Sequence, residues 1–177
     1  MDKLIKVAIT GPESTGKSYL AKALAKHYAT QWVPEFARQY LETLGRPYAY
    51  SDILTMAQGQ KKEEIRLGAK ANSLLFCDTE LINHKIWSLH KYGRVDEWIE
   101  ASIRTQPYDV YLLCDIDMPW EPDPLRENPD ERFFFFHWFQ KEIKVLEKPF
   151  YTISGMGAQR VQRAIDAIDD FLARRKA

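Results

Sequence analysis

The chain is short of cysteine, of net charge and of long apolar runs, and each shortage excludes something. Cys77 and Cys114 are the only cysteines among 177 residues. They lie far apart, each in an apolar run, and form no CxxC pair. They predict small buried hydrophobes in a reducing compartment, and no disulfide framework. Lys and Arg total 25 and so do Asp and Glu, so no global field draws the protein to nucleic acid or to an anionic membrane. Local basic clusters remain free to meet phosphates. No apolar stretch approaches the roughly 20 residues of a membrane span, and the amino terminus runs into a strand with no signal-peptide pattern. A cytoplasmic protein is expected. His27, His84, His90 and His137 show no metal spacing and read as ordinary helix positions, which implies neither zinc nor a covalent nucleophile. No repeat, low-complexity segment or linker interrupts the chain, and its length fits one domain, residues 1–177, without staples.

What is present begins with Gly11-Pro-Glu-Ser-Thr-Gly-Lys17-Ser18, which matches the P-loop pattern at every fixed position. An apolar run from Leu4 precedes it, and the apolar stripe Leu20, Ala23, Leu24 follows. That strand–loop–helix context predicts a nucleoside triphosphate site, with a structural turn as the alternative. Gly11, Glu13, Ser14, Thr15, Gly16, Lys17 and Ser18 are the residues expected around ATP. Backbone N–H groups would converge on phosphate oxygens at a helix N-terminus, Lys17 would reach the β- and γ-phosphates, and the Ser18 hydroxyl would ligate Mg²⁺.

Apolar runs alternate with helical patterns, predicting an α/β fold with a doubly wound, parallel, five-stranded sheet, a small kinase-like domain. The strands are expected at 4–10, 31–33, 74–78, 110–115 and 150–154. Helices are expected at 17–28, 35–44, 51–71, 80–92, 96–105, 131–146 and 158–174. Met118 to Asp130 carries four prolines and reads as a loop; residues 118–132 form the candidate lid. The aromatic run Phe133 to Phe136, with Trp138 and Phe139, reads as core, with a homo-oligomer surface as the competing reading.

A P-loop needs a second carboxylate near the metal. Leu74-Leu75-Phe76-Cys77-Asp78 ends a buried strand on one, so Asp78 is the expected Mg²⁺ partner; capping the next helix is its local alternative. Asp115 and Asp117 end a later strand similarly and rank lower. Glu35, at the mouth of the second strand, is placed to accept a hydroxyl proton or hold sugar hydroxyls, and Arg38 to meet a phosphate, against an ordinary Glu/Arg surface pair. Arg126 and Arg132 in the candidate lid would neutralise charge on a moving phosphoryl group. The Ser154 to Ala158 turn, with Gly157, would let backbone approach an adenine ring, or would merely join strand to helix.

The whole chain resembles the ribosylnicotinamide kinase domain of NadR-type proteins. The resemblance rests on GPESTGKS at 11–18, PEFAR at 34–38, AQGQ at 57–60, CDTE at 77–80, and Tyr108-Asp-Val-Tyr-Leu-Leu followed by Pro119-Trp120 and Leu125-Arg126. It implies a fold of the P-loop nucleoside/nucleotide kinase type and phosphorylation of nicotinamide riboside, a small-molecule nucleoside, on its 5′-hydroxyl by ATP. In that scheme Lys17 and Ser18 serve ATP and Mg²⁺, Asp78 the metal or the attacking hydroxyl, Glu35 the riboside and Arg126 the lid. Gln58 falls in a matching motif. The positively charged pyridinium suits aromatic faces, for which Phe36, Trp87 and Trp120 are the candidates. Multifunctional members carry an adenylyltransferase domain ahead of the kinase; the early first strand and missing HxGH motif lead us to expect no such activity. Some members have an aromatic residue where this chain has Pro34. A kinase for another nucleoside or small metabolite is the nearest rival, and a regulatory P-loop NTPase is the rival of another class.

Overall fold

A computed structural model describes residues 3–176. Five strands, β1 (Ile5–Thr10), β2 (Gln31–Val33), β3 (Leu74–Asp78), β4 (Val110–Cys114) and β5 (Phe150–Ile153), form one sheet in the order β2-β3-β1-β4-β5. All neighbours are parallel. Among the described residues seven helices connect and cover them: α1 (Lys17–His27), α2 (Phe36–Leu44), α3 (Tyr50–Gly68), α4 (Leu81–Tyr92), α5 (Glu97–Thr105), α6 (Arg132–Val145) and α7 (Gly157–Lys176). The expected α/β architecture is therefore the observed one, with boundaries moved by a few residues.

The strands read as unbroken apolar runs because both faces of the sheet are covered. Alternation nevertheless sorts their side chains. Val7, Ile9, Phe76 and Leu112 face α1 and α7, where Leu20, Leu24, Ala164 and Ile168 meet them. Ala8, Leu75, Cys77, Tyr111 and Leu113 face the other way, onto Ile53, Ile82, Ile86, Phe135 and Phe139 of the α3–α6 layer. Both cysteines are free and buried. Most of the aromatic run is accounted for by packing: Phe135 and Phe139 are core, while Phe133 and Phe134 are 68 % and 53 % exposed.

Local chemistry stops and starts the helices as it should. The Glu80 and Asp96 side chains accept N–H bonds from Ile82 and Trp98 at the starts of α4 and α5, and Gly45 and Gly93 end α2 and α4 in the left-handed conformation;. Residues 115–131, between β4 and α6, contain no helix or strand, as their prolines require. The ends of β1 and β3 and this irregular segment surround the site. No helix among the described residues is long and apolar enough to cross a membrane.

Candidate functional site

The phosphate loop leaves the sheet at Gly11. Its φ is 135°, and a Cβ there would lie 3.0 Å from the Cys114 carbonyl oxygen, so only glycine fits both the turn and the contact. Ser14 and Gly16 take φ values of 57° and 74°, and Thr15 Oγ1 donates to the Pro12 carbonyl at 2.8 Å. Gly16 caps α1 without any side-chain bond, which leaves the first-turn N–H groups for an anion. Lys17 Nζ donates to the carbonyls of Gly11 and Pro12 at 3.0 and 2.7 Å. The ammonium is thereby held over the loop it would serve.

Ser18 Oγ donates to Asp78 Oδ2 at 2.5 Å, and Asp78 Oδ1, buried with the rest of that side chain, has no partner among the described residues. A hydroxyl, a carboxylate and one free carboxylate oxygen are a hard oxygen set that suits Mg²⁺, which keeps several waters and takes phosphate oxygens as its remaining ligands. Ser18 and Asp78 are thus the residues that would hold it. Burial raises the Asp78 carboxyl above its ordinary value, against the Ser18 bond and the Lys17 charge that lower it. Thr79 next to it is a buried β-branched residue at φ 72°, a costly conformation that sends Asp78 and Glu80 to different jobs. Glu80 accepts from Thr10 Oγ1 at 2.9 Å and from the Ile82 N–H at 2.7 Å. Helix capping, the alternative role for Asp78, belongs to Glu80.

A cavity of about 330 Å³ opens beside this cradle, walled by the loop from Glu13 to Ser18, by Glu35 and Arg38 of the β2–α2 corner, and by residues of α3, α4 and the 115–131 segment. Glu35 precedes α2 with an extended backbone. Burial raises its carboxyl, the nearby Asp78 charge raises it further, and Lys17 and Arg38 pull it down. A carboxyl so placed is a better proton acceptor than a solvated one.

The 115–131 segment is fastened to the phosphate loop by its backbone. Glu13 accepts from the N–H groups of Glu127 and Asn128, each at 3.2 Å. Ser14 Oγ accepts from the Glu121 N–H at 2.9 Å and from Arg126 at 3.4 Å. Arg38 pairs with Asp123 at 3.1 Å. Arg132 donates to the carbonyls of Ser14 and Met118 at 3.2 and 2.8 Å.

Several anticipated residues therefore meet and several do not. Glu13, Ser14, Thr15, Gly16, Lys17, Ser18, Glu35, Arg38, Trp87 and Arg126 line the cavity, with Asp78 behind Ser18. Phe36 does not: its ring lies over Gly59, where a Cβ would sit 2.1 Å from it. Gln58 is not on the cavity wall; Gln60, fully buried, instead accepts the Phe36 N–H at 2.9 Å and fixes the α2 start. Trp120 stands beside two guanidiniums, 5.9 Å from Arg126 and 5.7 Å from Arg132, and outside the cavity lining. Arg132 likewise serves the back of the loop. Gly157 opens α7 away from the cavity, and in the preceding turn the Gly155 N–H is taken by Asp117, which also pairs with the buried Arg160 at 2.9 Å. Asp117 thus orders a turn and does not face the cradle. Tyr48, Asn83 and His84 line the cavity without having been anticipated.

Comparison with known proteins agrees with this geometry. A family model described as an AAA domain, AAA_28, matches residues 6–160. The chain belongs to that family. Within it, the similarity runs to NadR-type proteins. The trifunctional NAD biosynthesis/regulator protein NadR of Salmonella typhimurium and that of Escherichia coli are each 33 % identical over 125 residues. Those matches cover 68 % of this chain and 30 % of the relative, so the chain spans about a third of their length. Among solved structures, a NadR protein in complex with NAD and AMP-PNP superposes with a TM-score of 0.75 at 22 % identity, covering 95 % of this chain and 49 % of that one. A NadR complex with NR gives 0.74 at 19 % identity, covering 95 % and 51 %. Deoxyadenosine kinase from M. mycoides with bound dCTP gives 0.60 at 14 %, covering 94 % and 100 %. The fold of this AAA_28 member is that of the P-loop nucleoside and nucleotide kinases.

Proposed function

We propose that this chain transfers the γ-phosphoryl group of ATP to the 5′-hydroxyl of nicotinamide riboside, giving nicotinamide mononucleotide, and that residues 118–132 act as the lid of a single kinase domain. The observation that carries the reading is the cavity itself. It joins a phosphate cradle to a pocket large enough for a nucleoside, with the raised carboxyl of Glu35 and the guanidinium of Arg38 on its wall. The similarity to NadR-type proteins, one of them solved with NR, supports the choice of acceptor.

In this reading the N–H groups of residues 13–18 and the Lys17 ammonium bind the β- and γ-phosphates, and Lys17 exchanges its loop carbonyls for phosphate oxygens. Ser18 and Asp78 would hold Mg²⁺, which would supply charge neutralisation on the phosphates. Glu35 takes the hydrogen bond of the 5′-hydroxyl and accepts its proton as the bond to phosphorus forms. Arg126, delivered by the lid, offsets charge on the transferring group, while the lid excludes water that would otherwise hydrolyse ATP. Arg38 holds the lid through Asp123, and Trp87 offers an aromatic face to the pyridinium.

The test is product identification by mass spectrometry after incubation with Mg²⁺-ATP and nicotinamide riboside, alongside uridine, cytidine, adenosine and the deoxynucleosides. Mononucleotide from nicotinamide riboside, well above every other acceptor, is the expected result. Preference for another nucleoside would keep the kinase and discard this acceptor. ADP release with no phosphorylated acceptor would favour a nucleotide-driven regulatory role.

A further inference from the structure

His84 is 3 % exposed, yet it lines the cavity from the first turns of α4. Its Nδ1 lies 3.2 Å from the Glu80 carbonyl oxygen. A carbonyl only accepts, so Nδ1 carries the proton and Nε2 presents a lone pair. That Nε2 is buried and has no partner among the described residues. Burial pushes the imidazole pKa down to about 4, so the ring is neutral near pH 7 and does not repel a cationic ligand. A buried acceptor left unpaired costs free energy that a Leu or Phe at the same position would not. Asn83, one residue earlier, is a second polar side chain on the wall, whereas Ile53 and Met56 of α3 and Trp87 of α4 are apolar or aromatic. They can hold a flat ring and cannot tell one ring substituent from another.

We propose that His84 reads the carboxamide of the acceptor's pyridine ring, its Nε2 accepting an N–H of the primary amide, and so restricts the acceptor to the amide form of a pyridine riboside. The acid form has no N–H to give and would set a carboxylate against the lone pair. This inference rests on the nicotinamide riboside reading above and adds the residue that selects between ring substituents.

The experiment is a comparison of kcat/KM for nicotinamide riboside, nicotinic acid riboside and 3-acetylpyridine riboside, in wild type, His84→Phe and His84→Gln. The acetyl compound keeps the carbonyl and loses the N–H donor. Wild type is expected to favour the amide by at least about 10-fold over either analogue. In His84→Phe the gap between amide and acetyl compound should close to within about 2-fold, through KM more than kcat, and His84→Gln, which retains an oxygen acceptor, should restore part of it. Equal use of amide and acetyl compound by wild type would overturn the inference without any variant being needed, and so would an unchanged gap in a folded His84→Phe. Wild type inactive on all three would remove the riboside reading and this one with it; activity on all three without preference would remove this one alone.

Discussion

The two helical layers that cover the sheet bury different things. The α1/α7 layer meets it with Leu20, Leu24, Ala164, Ile168 and Phe171, and its one nearly fully buried charge among the described residues, Arg160 at the start of α7, is taken up by Asp117 and by backbone carbonyls. The α3–α6 layer buries Gln60, Lys61, Glu64, Glu80 and His84 among its hydrophobes. Lys61 donates to Glu64 at 3.1 Å, Tyr108 donates to the same carboxylate, and Lys6 reaches it from β1 at 3.4 Å. Buried charge is costly unless paired, and replacing such pairs by hydrophobes is often neutral or stabilising. A fold that needed only stability would build both layers like the first. Most of the cost is carried on the side where the cavity lies, which separates a layer that mainly holds the sheet from a layer that also serves a site.

Four substitutions test that division, taken from the largest effect to the smallest. Lys17→Ala, in the cradle between the layers, should lower phosphoryl transfer by roughly 10³-fold or more, about 4 kcal/mol of transition-state binding, with little change in Tm. Rate assays beside thermal melts check it, and a wild-type rate would remove the cradle from the chemistry. Leu24→Ala, in the apolar layer, should cost about 2–5 kcal/mol of stability and leave turnover per folded molecule unchanged. Urea unfolding with active-site titration measures both, and a kinetic defect at full folding would blur the two layers' roles.

His84 gives the polar layer a pH signature. Its pKa is lowered from 6.5 to about 4 in the folded chain, so between those values the unfolded chain binds a proton that the native state refuses. Stability present above pH 6.5 should therefore fall as pH drops through that window, by up to about 3 kcal/mol. His84→Gln should flatten that part of the profile in urea titrations at pH 4.5, 5.5 and 7; an unchanged slope would place the acid sensitivity elsewhere. Asp123→Asn, which breaks a half-exposed pair with Arg38, should raise KM by less than about 5-fold, and less still at high salt. A larger, salt-independent effect would make that pair part of the site and not merely a fastening.

The fold was readable because its signals are local and agree with one another. Each strand is a short apolar run, each helix a stripe, and the prolines of 119–129 forbid structure where none forms. The cradle was readable for the same reason: its glycines, Lys17 and Ser18 are fixed by spacing, and Asp78 by its place at a strand end. What failed depends on helix phase and tertiary contact. Phe36 looked like a stacking face, but the absence of a side chain at Gly59 draws its ring onto α3. Gln58 and Gln60 share one motif, and only the second falls in phase with the buried Ala57 and Glu64. His84 read as an ordinary helix position, although it shares the buried face of α4 with Leu81 and Ser88; a polar residue on an otherwise inward face was the available signal. Trp120 was placed by arginines that lie six and twelve residues further on, which no local pattern encodes.

The most direct test of the central claim is a crystal structure with AMP-PNP, Mg²⁺ and nicotinamide riboside bound together. The account predicts the γ-phosphate over Lys17, the metal on Ser18 and Asp78, the ribose 5′-oxygen within hydrogen-bond reach of Glu35, and the pyridinium against Trp87. A riboside bound outside this cavity, or one whose 5′-oxygen points away from the γ-phosphate, would contradict it.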